Sequence, residues 1–334
     1  MDLPITYLAL LESRGRSAAT IRATRADLRQ FQQWWEVTHG HPWNAALTSD
    51  RDLRQWQRTR QVTDGAAPAT INRALSTIRS FFTWAISQGL VVNNPTDDLQ
   101  DVATEPLGPQ AVPDVGVDAL LRAARNQRDP RLRMRDEALL ALLVYTGVRV
   151  QEACDVQLRD LDLPGGTLVV RSGKGRKARR IPVHPDAIRL LERYVVQLRC
   201  PAGLPALGSA AEREPLLVRI DAAAKGRPII PGMTPRGVAK IVQRLGAIAA
   251  ATLRDSAANV ADLQRVDQLR AAAHHLDHVS PHMLRHSLAR RLLTQGAQLP
   301  EVQRILGHSR LSTTGMYLTP SDDDLRAAID KTQL

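Results

Sequence analysis

Helical periodicity fills the first 95 residues of this 334-residue chain and stops at a proline-rich stretch, and that change of pattern constrains the fold more than any other feature. From Ile5 to Trp35, the apolar residues Tyr7, Leu8, Leu11, Ile21, Leu28, Phe31 and Trp35 recur at helical spacing. The run is interrupted at Arg14-Gly15-Arg16-Ser17, where Ser17 can cap a second helix, so a helical hairpin is predicted. A third helix is expected over 49–61. A fourth, over 68–88, opens at Pro68, is lined by Ile71, Leu75, Ile78, Phe82 and Ala85, and stops at Gly89. Residues 1–95 therefore read as an all-α domain.

The stretch from Asn93-Asn94-Pro95 to Pro113 mixes prolines and acids without helical period and reads as an interdomain linker, set at residues 96–115. Residues 116–334 then show a different pattern. Helices are expected over 116–126, 132–146 and 149–160, followed by two short strands, Thr167–Arg171 and Arg179–Val183, that flank a Gly/Lys/Arg turn. Further helices follow over 185–199, 234–250, 252–278, 281–295, 300–306 and 312–318. Ser280-Pro281 is a strong helix start, because proline fits the first turn and serine can cap it. The expected fold class is mainly α with a small β-sheet: an all-α front domain and a mixed α/β second domain.

Charge points to an anionic partner. Formal net charge is +11, and all of it lies in residues 106–334, where 34 basic residues face 23 acidic ones. Only Cys154 and Cys200 are present, too few for a disulfide framework, and no apolar run is long enough to span a bilayer. The start Met1-Asp2-Leu3-Pro4 lacks a basic region followed by an apolar core. A cytoplasmic protein with no membrane contact is the expectation.

Three clusters carry chemistry. The last sixty residues place Pro281-His282-Met283-Leu284-Arg285-His286, then Leu306-Gly307-His308, then Tyr317. Two imidazoles and a guanidinium can stabilise charge on a phosphodiester while a nearby phenol attacks it. Earlier, Thr146-Gly147-Val148-Arg149 joins two apolar helices so that Arg149 begins the second, a setting that suits a phosphate. Between the strands, Arg171-Ser172-Gly173-Lys174-Gly175-Arg176-Lys177-Ala178-Arg179-Arg180 holds six basic residues among Arg171, Lys174, Arg176, Lys177, Arg179 and Arg180 and no acid. Such a turn can enter a groove of a duplex, and Lys174 between two glycines can protonate a leaving alkoxide. A competing pattern, His274, His278, His282 and His286 at intervals of four, would suit zinc on one helix face. Pro281 breaks that helix and no cysteine is near, so no metal is expected.

With Arg149, Lys174, His282, Arg285, His308 and Tyr317 in this order, the chain resembles the tyrosine recombinase family, the phage-integrase and Xer-type enzymes of DNA strand exchange. The resemblance covers nearly the whole length, including a helical core-binding (SAM-like) domain seen in Pro68-Ala69-Thr70-Ile71-Asn72-Arg73 and Ser80-Phe81-Phe82-Thr83-Trp84-Ala85. It implies that Arg149 and Arg285 grip the scissile phosphate, Lys174 is the general acid, His282 and His308 assist, and Tyr317 forms a 3′-phosphotyrosyl link. Glu152 falls where the family has an acid that orients the site. Arg73 joins Arg171, Arg176, Lys177, Arg179 and Arg180 as expected DNA contacts. His286 is expected to pack beside the site.

The resemblance further implies a protein that clamps duplex DNA, works as a homo-oligomer with four subunits on two recombination sites, passes through a Holliday junction, and needs no cofactor. Accessory partners and the DNA target are not legible. A type IB topoisomerase-like activity is the first alternative, and an architectural DNA-binding protein with a disabled site the second. Residues 251–278 are longer than the usual family connection and read as an Ala-rich amphipathic helix, a solvated insertion in preference to a DNA-binding or subunit surface. A tail helix is expected at Asp323–Ile329.

Overall fold

The computed structural model describes residues 3–103, 111–171, 178–220 and 231–307. The chain divides into two compact units, residues 1–107 and 108–334. Lys174, Arg176, Lys177, His308, Tyr317 and the helices expected at 312–318 and 323–329 lie outside the described residues.

Among its described residues the first unit is all helical: α1 (Leu3–Ser13), α2 (Ala18–His39), α3 (Asp50–Arg58) and α4 (Pro68–Ser87). Ser17 caps α2 by accepting from the Thr20 backbone N–H, and Pro68 opens α4, as the sequence requires. The helix expected to run to residue 61 ends as α-helix at Arg58 and finishes in a π-type turn over Thr59–Thr63. All five tryptophans and all three phenylalanines of the chain belong to this unit. Phe31 lies at its centre, with ring centroids of Trp43 and Trp56 5.3 and 5.5 Å away in edge-to-face contact. Asp27, buried, takes both Nη1 and Nη2 of Arg73 (2.6 and 2.7 Å) and the Thr77 hydroxyl (2.8 Å). Residues 96–103 run along α4, where the Asn72 amide donates to Val102 O (2.9 Å) and its Oδ1 accepts from Val102 N (2.8 Å).

The second unit has an aliphatic core around α6 (Pro130–Thr146), whose residues Ala138–Val144 are buried on all faces. Around it stand α5 (Asp114–Arg125), α7 (Val150–Asp155), α8 (Pro185–Tyr194), α9 (Pro235–Ala258), α10 (Leu263–Asp277), α11 (Pro281–Thr294) and α12 (Leu299–Leu306). A three-stranded antiparallel sheet, β1 (Leu161–Asp162), β2 (Thr167–Val170) and β3 (Arg179–Pro182), runs in the order β1-β2-β3. Val170 pairs with Arg179, so the basic segment lies in sequence between the paired ends of β2 and β3. The two-residue strand β1 has no sequence signal of its own and exists through pairing with β2.

Residues 251–278 correct the sequence expectation twice. No break falls at 251; α9 continues to Ala258, and the turn comes at Asn259–Asp262, where Asp262 caps α10 by accepting from Gln264 N (3.0 Å). Nor is the segment a solvated insertion, because Val266, Leu269, Ala272, Ala273 and Leu276 are buried in the main core against α9 and α5. Gly246 permits that packing: a Cβ there would stand 2.3 Å from Val279 Cγ1 and 2.6 Å from Leu276 O. Among the described residues no helix is long and apolar enough to cross a membrane.

Candidate active site

The site forms where the end of α6, the start of α7, the first turns of α11 and the last turn of α12 meet. Gly147 ends α6 in the left-handed region, with φ of 60°. A Cβ at this position would meet Leu306 Cδ2 at 2.7 Å and Leu288 Cδ2 at 2.9 Å, so the chain turns here only because the residue is glycine. Gly147→Ala adds left-handed strain to overpacking and is expected to cost about 2–4 kcal/mol in urea unfolding; a loss below about 0.5 kcal/mol, the scale of a neutral surface change, contradicts this packing.

Arg149 stands at the N-cap position of α7, held there by Glu152. One Glu152 oxygen accepts from the Arg149 backbone N–H (2.9 Å) and the other from Arg149 Nη1 (2.9 Å). Arg179 donates to the same carboxylate through Nη1 (3.0 Å) and Nη2 (2.8 Å). The carboxylate is buried, which by itself raises its pKa, but the bonds from Arg179 and Arg149 outweigh burial and hold it below the usual carboxylate range.

The end of α12 gathers three arginines. Its consecutive carbonyls at Ile305, Leu306 and Gly307 accept from Arg179 Nε (3.1 Å), Arg285 Nη2 (2.5 Å) and Arg149 Nη2 (3.4 Å) respectively. The last carbonyls of a helix have no partner within it and carry partial negative charge, so cations are favoured there. Arg285 Nη1 also donates to Gly147 O, which joins α11 to the end of α6. Side-chain exposure grades the group: Arg149 at 28% faces outward, Arg179 at 11% is mostly covered, and Arg285, 1% exposed as a residue, forms the floor.

His282 reaches the surface on the first turn of α11. Its ring is covered enough that desolvation, then the charges of Arg285 and Arg149, lower its pKa and keep it neutral at pH 7. His286 stands edge-on to His282 with centroids 5.3 Å apart, beside the site as the sequence suggests. Burial first, then His282 and Arg285, lower its pKa to about 4. The unfolded chain, titrating near ~6.5, binds the proton more readily, so stability rises with pH between about 4 and 6.5 and is level above. His286→Gln is expected to flatten part of that slope, read as urea midpoints at pH 5 and 7; an unchanged slope refutes the assignment. His274 and His278 belong to the end of α10, across the break from His282 and His286 on α11.

Of the residues singled out from sequence, Arg149, Glu152, Arg179, His282 and Arg285 are brought together. Arg171, at the end of β2, pairs with buried Asp160 while remaining exposed, and Arg180 is exposed on the outward face of β3. Arg73 belongs to the first unit and pairs with Asp27 there. Sequence reasoning missed the α12 carbonyls and the inward direction of Arg179. The second was readable: Arg179, Ile181 and Val183 alternate onto one face, and Ile181 and Val183 are core residues.

Comparison with known proteins identifies the family. Residues 114–323 match the phage integrase family, and residues 6–89 match the phage integrase N-terminal SAM-like domain. Tyrosine recombinase XerC of Rhodospirillum centenum is 34% identical over 314 residues, covering 92% of this chain and 79% of that protein. Tyrosine recombinase XerC of Lactobacillus delbrueckii subsp. bulgaricus is 30% identical over 319 residues, 95% of this chain and 94% of the relative. In fold, the chain is similar to the Tn1549 transposon integrase in complex with transposon right end DNA, with a TM-score of 0.68 at 19% identity over 99% of both chains. It is equally similar to the XerH site-specific recombinase bound to palindromic difH substrate, TM-score 0.68 at 19% identity, covering 97% of this chain and 84% of that one. The mainly helical two-part chain, with its small sheet and its arginine-rich site, belongs to the phage integrase family of tyrosine recombinases.

Proposed function

We propose that this protein is a site-specific DNA recombinase that cuts and rejoins duplex DNA at Tyr317. The observation that carries the reading is the convergence of Arg149 and Arg285 on the carbonyls of Gly307 and Leu306, just before His308 in the sequence, with His282 near enough to feel both charges. In the reaction, the Tyr317 phenolate attacks the scissile phosphorus and the bond to the 5′-oxygen breaks. A 3′-phosphotyrosyl link and a 5′-hydroxyl result, with Lys174 giving the departing oxygen its proton. Arg149 and Arg285 hold the nonbridging oxygens and stabilise the five-coordinate transition state, assisted by His282 and His308. The 5′-hydroxyl of a second duplex then reverses the step. One phosphodiester replaces another, so no energy-supplying cofactor is called for.

The other three tyrosines support the choice of Tyr317. Burial raises the pKa of Tyr7 and Tyr145 and pushes Tyr194 up to about 12, where its hydroxyl donates to Leu216 O (3.0 Å). Full exchange requires four subunits on two sites and passes through a Holliday junction. The exposed Arg171 and Arg180 of the hairpin, with Arg176 and Lys177 of its turn, hold the duplex through its phosphates, and Arg73 adds a contact from the first unit. The cytoplasm, where DNA is at hand, is the setting that fits, and Cys154 and Cys200 are free thiols.

Two duplexes of different length, each carrying the recombination site, test the activity. Recombinant-length products are expected, and a supercoiled plasmid lacking the site should stay supercoiled. Relaxation of that plasmid without recombinant products would establish the topoisomerase reading instead.

A further inference from the structure

We propose that Arg179 is a positioning residue of the cleavage reaction, acting through Glu152 on Arg149, in place of the groove contact expected from its sequence. The inference rests on the recombinase reading above. Arg179 opens β3, five residues after Lys174 in the sequence. Its three donor nitrogens are committed within the protein: Nη1 and Nη2 to the two oxygens of Glu152, at 3.0 and 2.8 Å, and Nε to Ile305 O at 3.1 Å. Gly307 lies directly over the guanidinium, since a Cβ there would be 2.9 Å from Arg179 Cδ, Nε and Cζ. A side chain 11% exposed and bound in this manner does not reach into a DNA groove.

What it does hold is the support of Arg149. Glu152 fixes Arg149 at both its backbone N–H and its guanidinium. One carboxylate between two guanidiniums leaves a single net positive charge to meet a phosphate. Without Arg179, Glu152 and Arg149 become a neutral pair, the carboxylate draws Arg149 inward, and a dianionic transition state loses stabilisation. The same loss frees β3 from the end of α12, so the strand that leads from Lys174 and the helix end that leads to His308 are no longer tied. Lysine cannot substitute, because a point charge does not span two carboxylate oxygens and a carbonyl.

The test measures single-turnover cleavage of a nicked suicide duplex at saturating DNA, together with DNA affinity across salt. Arg179→Met is expected to slow cleavage roughly 10²-fold, the scale of a misplaced catalytic group. Arg179→Lys should remain closer to the methionine variant than to the native protein. The double variant Glu152→Gln with Arg179→Met, which removes the buried carboxylate along with its cation, should cleave no more slowly than Glu152→Gln alone; it carries the test if Arg179→Met does not fold. Cleavage at the native rate by Arg179→Met, or a salt slope shallower by about 0.9 in the double variant than in Glu152→Gln alone, as for one lost phosphate contact, overturns the proposal. So does a double variant in which the two losses multiply. If the native protein forms no covalent adduct, the recombinase reading itself fails, and this inference with it.

Discussion

Tyr317→Phe is expected to abolish covalent attachment to DNA and to lower recombination by more than about 10⁴-fold, the scale on which loss of a covalent nucleophile is felt, while DNA binding persists. The substitution removes one oxygen atom and no charge at pH 7. No other tyrosine stands ready to replace it: Tyr7 and Tyr194 are buried, and Tyr145 stacks on His184 with its pKa raised by burial. The measurement pairs a gel-shift titration with a denaturing gel for the adduct. An adduct of native intensity from the phenylalanine variant would remove Tyr317 from the mechanism.

Arg285→Met has the next largest effect, and it acts on two quantities at once. Loss of a preorganised cation from a developing phosphorane is expected to slow single-turnover cleavage by roughly 10²–10³-fold. The same change strips the Gly147 and Leu306 carbonyls of their buried donor, at about 1–3 kcal/mol for each group left unmet. The two effects separate by assay temperature, because a stability loss vanishes well below the unfolding transition and a lost transition-state contact does not. A folded Arg285→Met that cleaves at the native rate would show that Arg285 is only a structural clasp between α11 and its neighbours.

Much of this was legible in the chain because punctuation residues act locally. Ser17, Pro68 and Ser280-Pro281 set helix starts, and Gly147 set a helix end, through backbone chemistry that needs no tertiary partner. Where tertiary packing decided, sequence reading failed. The Ala-rich run through residue 251 carries no stop signal, and α9 continued because α10 and α5 cover its apolar face. The basic hairpin read as a uniform patch, yet the two-residue period of β3 separates Arg179, inward with Ile181, from Arg180, outward. Least visible was the role of main-chain carbonyls at the end of α12, since no side chain announces them. The order Arg149, Lys174, His282, Arg285, His308, Tyr317 can be read from the sequence, but the carbonyls that hold Arg149 and Arg285 cannot.

The central claim is that cleavage leaves DNA joined through its 3′-phosphate to Tyr317. Trapping the native protein on a nicked suicide duplex, digesting with trypsin and sequencing the DNA-linked peptide by mass spectrometry tests it directly. The predicted peptide is Leu311 to Arg326, in which Tyr317 is the one tyrosine, with the modification on that residue and a 3′-phosphate linkage. Attachment at Tyr145 or at any other residue, or a 5′ linkage, would contradict the account.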